Sequence, residues 1–87
     1  MSKKQPKLKP FSVLLMYPDY VSDYGESYYG WVRAENPVRA ARAVQMRASR
    51  AYWRRRGDAG PGDIESTADD FAVHLVLHGH RKGLRWW

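Results

Sequence analysis

Residues 36–57 read NPVRAARAVQMRASRAYWRRRG, and this stretch decides the fold. Asn36 followed by Pro37 is a helix start, with Asn as the N-cap and Pro at the first helical position. Gly57 is the matching stop, because glycine accepts the left-handed backbone of a helix C-terminus. The pattern predicts one long helix running to about Arg55. At about 100° per residue, Ala40, Ala41, Val44, Ala48, Ala51 and Tyr52 fall on a single stripe. A stripe this rich in alanine lets the helix lie close on a flat surface, which calls for a β-sheet beneath it.

The sequence on either side supplies that sheet. Residues 11–17, FSVLLMY, are apolar on both faces, as a central strand requires, and Pro18 ends the run. Residues 27–35, SYYGWVRAE, alternate with Tyr28, Gly30, Val32 and Ala34 on one face and Tyr29, Trp31 and Arg33 on the other. The polar connection 18–26, with Gly25 as its turn point, makes these two runs a hairpin. After the helix, residues 57–68, GDAGPGDIESTA, read as a Gly-, Pro- and acid-rich loop. Residues 70–78 read as a third strand, with Phe71, Val73, Leu75 and Leu77 facing the core and Ala72, His74, Val76 and His78 facing away. The expectation is an α+β fold: a single ββαβ domain over residues 11–87, with a three-stranded antiparallel sheet in the order 2-1-3 and the long helix on one face. A right-handed crossover brings the third strand beside the first. Residues 1–10, with Lys3, Lys4, Lys7 and Lys9 between prolines, read as a flexible basic tail.

Eighty-seven residues leave room for one domain. A chain this short is marginal in stability, and without cysteine no disulfide reinforces it. Four Trp, six Tyr and two Phe offer an aromatic core instead. The apolar run at 11–17 is too short for a signal peptide, and no run reaches the ~20 residues of a membrane span. The expected setting is the cytoplasm, away from membrane.

The formal net charge is +6. Basic chains favour nucleic acid, acidic protein surfaces or anionic membranes, while the blander reading is a solubilising charge. The helix is the focus of that charge. Between Asn36 and Gly57 it carries Arg39, Arg42, Arg47, Arg50, Arg54, Arg55 and Arg56 with no acid among them. Like charges on one element repel, so a partner or bound anions are expected to neutralise them. Arg39, Arg42, Met46, Arg50 and Trp53 share the side away from the alanine stripe, and Arg with Trp is the composition of interface hot spots. The acids of the two loops are expected to be solvated or to pair with arginines inside the chain.

With a single helix, the second sheet face is left open. It is expected to show Leu14, Met16, Tyr29, Trp31, Arg33, His74, Val76 and His78. Three occupants compete for it: a second copy of the chain in a homodimer, unpaired bases stacked on Tyr29 and Trp31, or the chain's own tails and other protein partners. Trp86 and Trp87 at the end of the chain could cover this face or dock on a partner. His74, His78 and His80 recur every second residue, but His74 and His78 lie ~13 Å apart on an extended strand at ~3.3 Å per residue, too far to share one metal ion. No nucleophile elbow, phosphate-binding loop or zinc-hydrolase pattern is present. The expectation is a non-enzymatic binding module without metal, cofactor or small-molecule substrate, docking on nucleic acid or on a nucleoprotein or acidic protein surface.

In size and layout, with the short ββαβ order, the helix opening ENPVRAARAVQM at 35–46 and no active-site motif, the chain resembles small phage or mobile-element proteins, including inhibitors of CRISPR complexes. The resemblance implies an inhibitor that occupies a surface of a nucleoprotein complex. It transfers no functional residue to a position of this chain. Many inhibitors of that kind are acidic nucleic-acid mimics; a basic chain would instead bind an acidic or RNA-exposing surface.

Overall fold

A computed structural model describes residues 7–21 and 26–82. The elements run β1 (Lys9–Met16), β2 (Ser27–Ala34), α1 (Pro37–Arg56), α2 (Asp63–Asp70) and β3 (Ala72–His78). The sheet order is β2-β1-β3, with β1 antiparallel to both neighbours. The chain is thus an α+β protein of ββαβ type, with a short second helix added. Lysines 3 and 4, Asp23, Gly25, Trp86 and Trp87 lie outside the described residues. Lys9 and Pro10 belong to β1, so the strand starts two residues before the expected boundary.

The caps of α1 are those its sequence specifies. Asn36 has extended backbone, and its Oδ1 accepts a hydrogen bond from the Arg39 backbone N–H at 2.9 Å. Gly57 takes the left-handed conformation, φ 84°, and its N–H donates to Trp53 O. Ala40, Val44 and Ala48 are buried and meet Phe11, Val13, Leu15, Ala34 and Phe71 in one core. Gly30 of β2 lies directly under Val44: a Cβ built there would sit 2.9 Å from Val44 Cγ1 and 3.1 Å from Arg47 Nη1. The missing side chain at Gly30 is what lets the helix come this close.

Two corrections concern residues 57–78. The segment expected to be loop contains α2. Gly62 begins it with a positive φ, and Asp63 and Glu65 fill its first turn, where the helix dipole favours acids. The second correction is a β-bulge. Leu14 pairs with Leu75 and Leu15 with Val73, leaving His74 unopposed on β1. The extra residue reverses the alternation. Phe71 and Val73 keep the helix side, but beyond the bulge Val76 and His78 take it, opposite Val13 and Phe11, while Leu75 and Leu77 turn to the other face. His78 therefore packs its ring on Phe11, with centroids 5.0 Å apart, and is not on the open face.

We expect Gly30→Ala to destabilise the protein by about 1–3 kcal/mol, the usual cost of overpacking a filled core. Thermal unfolding measures it. The cost should shrink in a Val44→Ala background, where the colliding methyl is gone, and a cost unchanged by that background would assign it to the β2 backbone instead.

Candidate functional site

The arginines of α1 divide into two groups. In the N-terminal half, Arg39 pairs with Glu35 at 3.2 Å and Arg42 with Asp69 at 2.7 Å. In the C-terminal half, Arg47, Arg50, Arg54, Arg55 and Arg56 are all exposed, and none forms an ion pair among the described residues. Arg47 donates from Nη1 to Trp31 O at 2.8 Å, linking helix to β2. The Arg56 guanidinium lies 5.4 Å from the centroid of the Tyr52 ring. Among the described residues no hydrogen bond or ion pair engages the side chains of Arg50, Arg54 and Arg55. Arg54–Arg56 also oppose the negative end of the helix dipole.

Helix α2 supplies one of these two carboxylates, Asp69. It carries Asp63, Glu65, Asp69 and Asp70 with no basic residue, and it packs along one side of α1. Ser49 Oγ donates to Ile64 O at 2.7 Å, Trp53 Nε1 to Thr67 Oγ1 at 2.9 Å and Gln45 Nε2 to Phe71 O at 2.8 Å. Of the five side chains expected to form one binding face, Trp53 is thus half-buried against α2 and Arg42 is engaged by it. Met46 is half-buried, and Arg39 and Arg50 are exposed. The expected single face is split between packing and open surface. The spacing of Ile64, Thr67, Ala68 and Phe71, at i, i+3, i+4 and i+7, is the signal in the sequence that would have revealed α2.

The second sheet face is less open than one helix on a sheet implies. Gly79, with φ 86°, turns the chain after β3. The Ser12 hydroxyl donates to Gly79 O at 2.6 Å and accepts from the Arg81 N–H at 2.7 Å. Trp31 Nε1 is shared between Tyr29 Oη at 2.6 Å and Arg81 O at 2.9 Å, and the Trp31 indole stacks on His80 with 5.1 Å between centroids and 7° between planes. Ser12 and Leu14 are as buried as the core, so they offer no area to a second copy or to bases. Tyr29, Trp31 and Arg33 do share this face; His74 sits at the bulge and His78 opposite. Among the described residues no cluster of three or more His, Asp or Glu is placed to hold a metal ion, and no helix is long and apolar enough to cross a membrane.

A cleft of about 210 Å³ opens where the C-terminal half of α1 passes the ends of β1 and β2. Tyr17, Tyr28, Tyr52, Ala51, Glu26 and Arg55 are in its wall. Tyr17 and Tyr28 meet edge to face, 6.3 Å between centroids. Burial first, then the neighbouring Tyr28 and Glu26, push the Tyr17 phenol pKa up, opposed by Arg55. Nearby, Tyr20 packs on Tyr52 and donates to Asp70 Oδ2 at 2.5 Å, tying the hairpin connection to the end of α2. Sequence reading missed this cleft: its tyrosines come from three separate elements, and only the fold unites them.

Comparison with known proteins finds no matching family model, no matching curated protein and no matching solved structure. The site therefore rests on its own geometry.

Desolvation, followed by the Asp70 hydrogen bond, pushes the Tyr20 pKa up to about 12 from 10.0. The folded chain then holds this proton at pH values where the unfolded chain releases it. The Tyr20 contribution to stability is present below about pH 10 and is lost as pH rises toward 12. The residue remains 58% exposed, so the contribution is small. In an alkaline titration followed by tyrosinate absorbance, Tyr20→Phe should remove the latest-ionising phenol. The stability gap between wild type and variant should be constant below pH 10 and narrow above it; a gap that stays constant above pH 10 would mean that the fold does not raise the Tyr20 pKa.

Proposed function

We propose that the protein is a non-enzymatic nucleic-acid-binding module whose contact surface is the C-terminal half of α1. The observation behind this reading is the concentration of Arg47, Arg50, Arg54 and Arg55, exposed and without carboxylate partners among the described residues, on an element where Arg39 and Arg42 are ion-paired within the chain. From Arg47 to Arg54 the helix rises about 10 Å at 1.5 Å per residue. Guanidinium groups along that span suit successive backbone phosphates, which their planar fork engages in a bidentate manner. The reading carries with it a cytoplasmic location. It also accommodates an inhibitor that seats on the exposed RNA of a nucleoprotein complex, since that inhibitor would use the same ridge of arginines.

The test is binding of the purified protein to short fluorescent DNA and RNA at two or more salt concentrations. Four phosphate contacts on duplex DNA correspond to a log K against log salt slope of about −3.6. Arg50→Glu with Arg54→Glu should abolish binding at physiological salt and leave the protein folded, at a cost of about 1–2 kcal/mol for setting a glutamate against the negative end of the helix dipole at position 54; no ion pair or hydrogen bond among the described residues engages either side chain. Arg42 is avoided because a glutamate there would face Asp69. Absence of binding by the wild-type protein, or binding that the double reversal leaves intact, overturns the proposal.

A further inference from the structure

Arg55, one of the exposed arginines of α1, stands in the wall of the tyrosine cleft. From this juxtaposition we infer that the cleft is a base-binding site: one unstacked nucleobase of a single-stranded DNA or RNA enters it, while a flanking phosphate stays outside on Arg55. This deepens the nucleic-acid reading and rests on it.

Three features of the cleft select a base over other ligands. Its volume of about 210 Å³ is below the ~300–1,000 Å³ of sites that enclose a drug-sized molecule, and it suits one planar ring system. Its walls carry the rings of Tyr17, Tyr28 and Tyr52, and aromatic rings accept any base because every base has a π-face. Third, Glu26 shares the wall with Arg55. Its carboxylate opposes an anion inside, so a phosphate is better placed outside the cleft. The neutral base goes in and the charge stays out. In a duplex the bases are stacked and paired and none is free to enter, so the cleft favours single strands.

Ala51 provides the means to close the cleft. It is half-buried in the wall, and leucine there adds bulk to the space while remaining a strong helix former. The experiment compares a short mixed-sequence single strand, as DNA and as RNA, with the duplex of the same sequence, by fluorescence anisotropy on wild type and Ala51→Leu. Wild type should prefer the single strand. Ala51→Leu should lower single-strand affinity by about 5-fold or more, the low end of what one stacked base contributes, and leave duplex affinity and its salt slope unchanged. Tyr52→Leu, which removes a stacking face but keeps an apolar side chain, should lower single-strand affinity in the same way and serves if Ala51→Leu lowers the unfolding temperature. Wild-type affinities that are equal for single strand and duplex overturn the base site and leave the ridge standing. So does a folded Ala51→Leu or Tyr52→Leu that weakens both nucleic acids equally or neither. Failure of wild type to bind any nucleic acid overturns the ridge and the base site together.

Discussion

Val44 rests on the backbone of β2 at Gly30, and the rest of the structure depends on how close that contact is. With no Cβ at Gly30, the alanine stripe of α1 can settle into the sheet until Ala40, Val44 and Ala48 are buried against Phe11, Val13 and Leu15. A core of such small residues on the helix side holds together only at short range, since dispersion falls off steeply across even a small gap. The same approach brings Arg47 within reach of Trp31 O at the edge of the sheet. It also sets the height at which Ala51, Tyr52 and Arg55 pass over Tyr17 and Tyr28. The cleft is the space left where that close contact gives way, at the strand ends.

Seven arginines on one helix pose an electrostatic problem, and the chain meets it in part from within. Helix α2 sets four carboxylates along one side of α1, and Arg42 pairs directly with one of them. That pair is exposed, and an exposed pair contributes about 0–1 kcal/mol. The larger share of the α1–α2 attachment comes from elsewhere: buried Thr67, Ala68 and Phe71, and the hydrogen bonds that Ser49, Trp53 and Gln45 send across. Hydrophobic packing and hydrogen bonds fix α2 in place, and that placement sets Asp69 on Arg42.

The strands, their order and both ends of α1 are legible in the sequence because each rests on local chemistry. Two-sided apolarity marks 11–17 as central, Asn36-Pro37 opens the helix and Gly57 closes it. The parts that are not legible depend on contacts between distant residues. Half of residues 63–70 are acids and they follow a Gly-Pro-Gly turn, so their composition reads as loop and only the spacing of Ile64, Thr67, Ala68 and Phe71 points to a helix; the helix exists because Ile64, Thr67 and Ala68 have α1 to lie on. The alternation of Phe71, Val73, Leu75 and Leu77 points to one face, yet the bulge at His74 sends the last two to the other, and nothing in the residues themselves marks the insertion. The covering of Ser12 by Gly79 and Arg81 joins positions 67 and 69 residues apart. Of the expected binding residues, Arg50 is exposed, whereas Trp53 is drawn into the packing of α2.

The arginines of the C-terminal half are not equivalent as evidence for a partner. Arg54, Arg55 and Arg56 stand in the last turn, where each cation gains about 0.3–1 kcal/mol from the helix dipole, so the fold alone gives a reason for them. Arg56 has the Tyr52 ring as well, and Arg47 holds a backbone carbonyl of β2. Arg50 stands before the last turn, beyond the reach of the dipole, and no ion pair or hydrogen bond among the described residues engages it. Its like-charged neighbour Arg54, at i+4, makes the position mildly unfavourable by a few tenths of a kcal/mol. No ion pair, hydrogen bond or dipole interaction among the described residues therefore accounts for an arginine at residue 50. A bound anion reverses that balance, because two guanidinium groups one turn apart repel each other in the free chain and act together on a phosphate.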